Sequence, residues 1–318
     1  MSENQIPGAF NTFMLDVGNG HKIYVEESGN PNGMPIVNFH GGPGSRSKPK
    51  HRTYFDLQKF RLIMFDQRNG GLSTPLALSD KGSLQFNSPA AIVGDAEAIR
   101  QHLGIEKWHV CGASWGSAMA LLYALTFPQH TSSLTLRALF MAQVDDWAWM
   151  ADGARLLCPP AYDTAQDLFP GYSGIELVKA LANKILTAPN AEALVATNAL
   201  LDMEHGMELL AERNTEPKEP KPEDETLNAG LMYAHMIKHH MFENGWGLTP
   251  QAKEALRHIP TSITHGNCDA GCLIKNAYDL QKAHPHIKLA IAPNAGHGVD
   301  LDGEYDRLFA NALADITT

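Results

Sequence analysis

The chain has 318 residues, 44% of them hydrophobic and 19% charged, which suits one large or two ordinary domains with a sizeable core and excludes general disorder. Its 25 Lys and Arg against 35 Asp and Glu leave a net charge of −10, so phosphate backbones and anionic membranes are poor partners. No apolar run approaches the roughly 18–20 residues of a membrane span, and the opening MSENQIPGAF lacks the basic start and apolar stretch of a signal peptide.

In chain order, Lys22–Glu26 (KIYVE) predicts an edge strand, and Pro35–Phe39 (PIVNF) and Phe60–Phe65 (FRLIMF) predict further strands. Pro89–Leu103 places Ile92, Val93, Ala96, Ile99 and Leu103 on one helical face. Trp108–Cys111 reads as a strand, Ala118–Thr126 as an apolar helix and Ser133–Leu139 as a strand. This alternation predicts an α/β fold, a mainly parallel sheet with helices on both faces. From 145 to 248 the strand pattern disappears. Ile175–Leu186, Ala191–Leu210 and Ala229–Phe242 have helical spacing, and Glu212–Thr226, with three prolines and dense charge, predicts an exposed loop. Alternation resumes with a strand at Pro260–His265, a helix at Ile274–His284, a strand at Lys288–Ile291 and a closing helix at Glu304–Ile316. The expected organisation is a core over 1–144 and 249–318, interrupted by a helical insertion at 145–248. The four cysteines, Cys111, Cys158, Cys268 and Cys272, form no C-x-x-C pair and read as free thiols of a reducing cytoplasm.

The most informative segment is WHVCGASWGS, 108–117. It holds Gly112-Ala113-Ser114-Trp115-Gly116, a G-x-S-x-G match between a strand and a helix. A serine in that tight turn stands clear of the sheet, and small neighbours let strand and helix approach. The unpaired N–H groups of the following helix favour developing negative charge, and the Trp115 amide can face an oxyanion. The strand PIVNF runs into His40-Gly41-Gly42-Pro43-Gly44, whose glycines leave backbone N–H groups unobstructed, so Gly41 and Gly42 are candidates for the second half of an oxyanion hole. A serine needs a base, and in this architecture acid and base follow it in the chain. Asp269 lies just past the strand TSITHG, and His297 lies in the glycine-rich loop after KLAIA. The expected triad is Ser114, His297 and Asp269. Asp300 and Asp302 are rival acids but follow the histidine, and Asp66 ends a strand but precedes the serine. The pairs His284/His286 and His239/His240 lack the carboxylate or cysteine companions of a metal site and read as surface histidines.

With HGGPG (His40–Gly44), DQRNGGLSTP (Asp66–Pro75), GASWGS (Gly112–Ser117), LRALF (Leu136–Phe140), HGNCDAGC (His265–Cys272) and AGHG (Ala295–Gly298), the chain resembles the prolyl iminopeptidases of the α/β-hydrolase fold. The resemblance covers nearly the whole core and, more faintly, the insertion. It implies a helical cap over the serine and a serine exopeptidase that removes an N-terminal proline from small peptides through an acyl-enzyme, without metal or cofactor. It also implies substrate contacts: Glu204 for the α-amine, Phe140, Phe242 and Trp149 for the ring, and Cys272 after the acid. Where the family has a second glutamate, this chain has Lys238, which would repel an ammonium. Three readings of that departure stand open: a shifted alignment, replacement by Glu243 or Asp202, or a small neutral ester or amide as substrate. Asn69 and Leu72 stand where the family has a small residue and an arginine.

Overall fold

In a computed structural model the chain is described over residues 6–211, 221–298 and 303–316. Its centre is an eight-stranded sheet of order β1-β2-β4-β3-β5-β6-β7-β8. The strands are β1 (Ala9–Asp16), β2 (Lys22–Gly29), β3 (Met34–Phe39), β4 (Phe60–Phe65), β5 (Trp108–Ser114), β6 (Thr131–Leu139), β7 (Thr261–Gly266) and β8 (Lys288–Ala292). β2 is antiparallel to both β1 and β4, and from β4 through β3 to β8 every pairing is parallel. β2 is therefore not the edge strand its sequence suggested; β1 covers it. Phe10 and Met14 on β1 face solvent, which blurs the alternation that would have revealed the strand.

The central strands show the two-residue period of a sheet buried on both faces. Val37, Phe39, Ile63, Phe65 and Val110 pack into one cluster with α1 (Pro89–His102) and α2 (Trp115–Thr126). Ile36, Leu62, Met64 and Cys111 turn the other way and meet Phe309 and Leu313 of α10 (Glu304–Asp315). Ser88 caps α1 by accepting a bond from the Ala91 amide at 3.1 Å, and Pro89 follows at its first turn. α8 (Pro250–Leu256) and α9 (Ile274–Ala283) complete the helices around the sheet.

Between β6 and α8, among the described residues, α3 (Val144–Leu157), α4 (Pro159–Leu168), α5 (Gly174–Thr187), α6 (Asn190–Glu208) and α7 (Glu223–His239) pack on one another. Leu177, Leu181 and Ile185 of α5, Ala196, Leu200 and Met203 of α6, and Leu231, Ala234 and Ile237 of α7 are fully buried. Glu223–Thr226, read from sequence as loop, form the first turn of α7, where three acids suit the helix N-terminus; 212–220 lie outside the described residues. Asn228 fastens this layer to the rest by accepting from the Leu78 amide at 2.9 Å and donating to the Asn69 carbonyl at 2.9 Å. Asn69 itself has φ 63° and bonds Ser83 Oγ at 2.7 Å, a turn-and-anchor position that asparagine fills well. The side chain of Leu72 is exposed and nothing in the structure explains it. Among the described residues no helix is long and apolar enough to cross a membrane.

Candidate active site

Ser114 ends β5 and precedes α2 with φ 56° and ψ −131°, a conformation that costs of order 1–3 kcal/mol and persists only where its surroundings enforce it. The enforcement is close packing of glycines. A methyl group on Gly112 would stand 2.1 Å from the Gly116 carbonyl oxygen, and one on Gly116 would stand 2.0 Å from that of Phe39. Ser117 Oγ donates to the Ser114 carbonyl at 2.6 Å and fixes the turn from the helix side. The Trp115 amide opens α2 and has no helical acceptor.

The loop after β3 lies against this turn. A methyl group on Gly41 would meet Ser114 Cβ at 3.5 Å. Among the described residues no hydrogen bond engages the Gly41 or Gly42 amide. The loop is braced by the segment after β4. Gln67 donates its side-chain amide to the His40 carbonyl at 3.0 Å and accepts from Trp115 Nε1 at 2.9 Å, so one side chain spans both halves of the turn. Asp66, a rival acid in the sequence, instead accepts the amides of Ser47 at 2.7 Å and Leu72 at 2.8 Å. Arg68 grips Asp95 through two bonds of 2.7 Å.

Asp269 and His297 meet at the carboxyl ends of β7 and β8. His297 Nδ1 donates to Asp269 Oδ2 at 3.0 Å. Asp269 Oδ1 accepts the amides of Gly271 at 3.0 Å and Cys272 at 2.8 Å. Burial alone would raise this carboxyl, but His297 and the amide bonds hold it below the ordinary aspartate value. His265 supports the same loop. It accepts from the Leu139 amide at 3.1 Å, which leaves its other nitrogen to donate to the Cys272 carbonyl at 2.9 Å. Asp300 and Asp302 lie outside the described residues.

Ser114 and His297 line one small cavity with Gly42, Phe140, Asp146, Trp147, Met150, Glu204, Met207, Glu208, Gly271 and Cys272. Its free volume of about 20 Å³ has room for little more than one water. Glu204 is pushed up to about 8 by burial and by Glu208 one turn along α6, and the Tyr233 hydroxyl donates to it, with the Gly42 carbonyl 3.2 Å from the same hydroxyl. Glu208 Oε1 stands 3.4 Å from His297 Nε2. Burial pushes the Cys272 thiol up to about 12, so it is neutral near pH 7.

The sequence expectations fall into two groups. Ser114, His297, Asp269, Gly42, Glu204, Phe140 and Cys272 come together here, with Gly41 and Trp115 adjoining. Trp149 and Phe242 are not among the lining residues: the first donates to the Ala270 carbonyl at 2.8 Å, and the second stacks on Trp246. The aromatic wall is Phe140 with Trp147, edge to face at 5.2 Å. Lys238 points away and bonds Asn183 at 2.8 Å, while Asp202 and Glu243 are exposed. The further acids lining the cavity are Glu208 and Asp146, the second of which accepts from Asn276 at 2.7 Å. His284 is buried against the Gly247 carbonyl at 3.0 Å rather than lying on the surface.

Residues 34–304 match the family described as the alpha/beta hydrolase fold. The chain is 36% identical over 292 residues to a proline iminopeptidase of Xylella fastidiosa, covering 89% of this chain and 90% of that one. It is 35% identical over 297 residues to the proline iminopeptidase of Arabidopsis thaliana, covering 91% and 75%. Among solved structures, a proline iminopeptidase of Mycobacterium smegmatis superposes with a TM-score of 0.58 at 20% identity, covering 96% of this chain and 98% of that one. An esterase from Exiguobacterium antarcticum superposes with a TM-score of 0.63 at 20% identity, covering 97% and 100%. At such identities the two structures speak for the fold alone.

Proposed function

The chain belongs to the proline iminopeptidases of the α/β-hydrolase fold, and we propose that it releases an N-terminal proline, or a similar small residue, from short peptides with Ser114 as nucleophile. The observation that carries this reading is a single cavity lined by the constrained Ser114, by His297 with Asp269 behind it, and by carboxyl groups from α6.

In the proposed reaction His297 Nε2 takes the Ser114 proton as the oxygen attacks the prolyl carbonyl. Asp269 holds the opposite ring nitrogen and stabilises the imidazolium. The amides of Trp115 and of Gly41 or Gly42 receive the negative charge on the carbonyl oxygen; removing one such donor typically costs roughly 2.7–4 kcal/mol of barrier. His297 returns the proton to the leaving amine, and water then hydrolyses the acyl-enzyme by the same steps in reverse. Phe140, Trp147 and Cys272 form the wall for a pyrrolidine ring, and Glu204 pairs with the substrate's α-ammonium. Residues 145–248 act as the cap over a core of 1–144 and 249–318. The four free thiols support a reducing compartment.

An esterase or amidase acting on neutral acyl compounds rested on Lys238 facing the ammonium. With that side chain on Asn183, outside the cavity, nothing specific favours it.

The test compares proline β-naphthylamide, its N-acylated form and a p-nitrophenyl ester in the wild type and Ser114→Ala. A strong preference for the free amine, lost with the serine, is expected. Equal use of the N-acylated substrate, or hydrolysis that survives without Ser114, would overturn the reading.

A further inference from the structure

Both nitrogens of the His297 ring face carboxylates. Nδ1 bonds Asp269 at 3.0 Å, and Nε2, the nitrogen that must accept the serine proton, stands 3.4 Å from Glu208 Oε1. Among the described residues no hydrogen bond joins the Ser114 hydroxyl to the ring. We propose that Glu208 is a latch on the catalytic base: in the empty site it holds Nε2, and the α-ammonium of an incoming substrate draws it away, freeing the imidazole for Ser114. The inference rests on the iminopeptidase reading and extends it, because amine recognition then governs reaction rate as well as binding.

Three observations carry it. An imidazole between two carboxylates is held in its doubly protonated form, which has no lone pair for the serine proton. Burial opposes that charge, yet Asp269, Cys272 and Glu208 together hold the ring well above the ordinary histidine value. The Cys272 thiol is neutral near pH 7, which leaves the carboxylates as the charges that matter. Second, Glu208 lines the same small cavity as Ser114 and His297, so a substrate entering it comes against the Glu208 side chain. Glu204 is tied to Tyr233, whereas the Glu208 side chain is 26% exposed and its one described polar contact is His297. Third, Glu204 and Glu208 share one face of α6 a turn apart, so an ammonium placed at Glu204 is also within reach of Glu208. The groups facing this cluster from other elements are Asp146 of α3, Tyr233 of α7, the more distant Lys221, and His265 and Tyr305 behind the triad.

The proton balance is simple. The substrate arrives as an ammonium and pairs with Glu208. The imidazolium loses the counter-charge at Nε2 and gives its Nε2 proton to solvent, and Ser114 takes over that nitrogen.

The experiment reads base availability with a probe that has no amine. The rate of Ser114 labelling by diisopropyl fluorophosphate is followed against pH in the wild type, Glu208→Gln and Glu208→Ala, with thermal melts as a check on folding. Both variants should move the midpoint about 1 pH unit or more downward, since a carboxylate at this range shifts a pKa by about that much. At the foot of the profile they label about tenfold faster than the wild type. Proline β-naphthylamide kcat/KM should fall at least about tenfold in the same variants, because the amine loses a partner. An unchanged labelling midpoint in folded variants overturns the latch. A lowered midpoint with undiminished prolyl activity overturns its release by the amine. If the wild type cleaves no prolyl substrate, the iminopeptidase reading fails on that ground, and the labelling midpoint still decides whether Glu208 holds His297.

Discussion

Gly266 lies directly beneath Ala295: a methyl group on it would stand 2.3 Å from the Ala295 carbonyl oxygen and 2.6 Å from that of Gly296. The same Ala295 oxygen accepts the Cys268 amide at 2.9 Å. One backbone crossing thus sets the distance between the loop bearing Asp269 and the loop bearing His297. Gly266→Ala should force the two apart. Overpacking of this kind costs about 1–3 kcal/mol, and a misplacement near 1 Å in a catalytic group costs on the order of a hundredfold in rate. A modest drop in melting temperature with a large loss of kcat is expected. A variant that melts lower but turns over normally would show that the loops adjust together.

Tyr233 ties the floor of the cavity to the loop after β3, since its hydroxyl reaches both Glu204 and the Gly42 carbonyl. Tyr233→Phe removes the hydroxyl and its bond to Glu204 and keeps the ring packed edge to face on Trp147. A hydrogen bond to a charged group contributes about 1.5–3 kcal/mol, so KM for prolyl substrates should rise roughly ten- to a hundredfold. The Tyr233 bond also holds Glu204 down, so its loss should move the pH dependence of binding upward. A drop confined to kcat would assign the hydroxyl to the Gly42 loop instead.

The parts of this site visible in the sequence are those encoded by contiguous backbone. The turn at Ser114 needs glycines at fixed offsets, and the loops at Gly41 and His297 follow strands that end in glycine-rich segments. Glu208 and Trp147 carry no such mark. Helical spacing on α6 shows which face is apolar, but not which neighbour that face meets. Lys238 misses the cavity because Ile237 turns inward and the next residue, Lys238, turns out to Asn183. The role of Asn69 was equally hidden, since its partner Asn228 lies 159 positions away.

The outward position of Lys238 has a plain consequence. Lys238→Ala and Lys238→Glu should leave kcat/KM for proline β-naphthylamide within about twofold and stability within about 0.5 kcal/mol, the range of ordinary surface substitutions. Steady-state kinetics and a thermal melt check this. A large rise in affinity for Lys238→Glu would mean that the end of α7 rotates toward the substrate.

Glu204 supplies the sharpest test of electrostatics, because its pKa is pushed up from 4.5 to about 8 by burial and by Glu208. Between those values the folded protein keeps a proton that the unfolded chain has released, so stability contributed by this group falls as pH rises through the window and levels off above about 8. Substrate binding has the opposite dependence. An ammonium favours the ionised carboxylate, so affinity should rise with pH toward 8, by up to about tenfold per unit where Glu204 is mostly protonated. Prolinamide binding to Ser114→Ala, measured calorimetrically in buffers of different ionisation enthalpy, separates this from chemistry and should show proton release that fades above pH 8. Glu204→Gln should abolish the Glu204 part of that release and flatten the pH dependence of melting. If both profiles keep their wild-type shape, the titrating group is another one, and the ammonium is not read by Glu204.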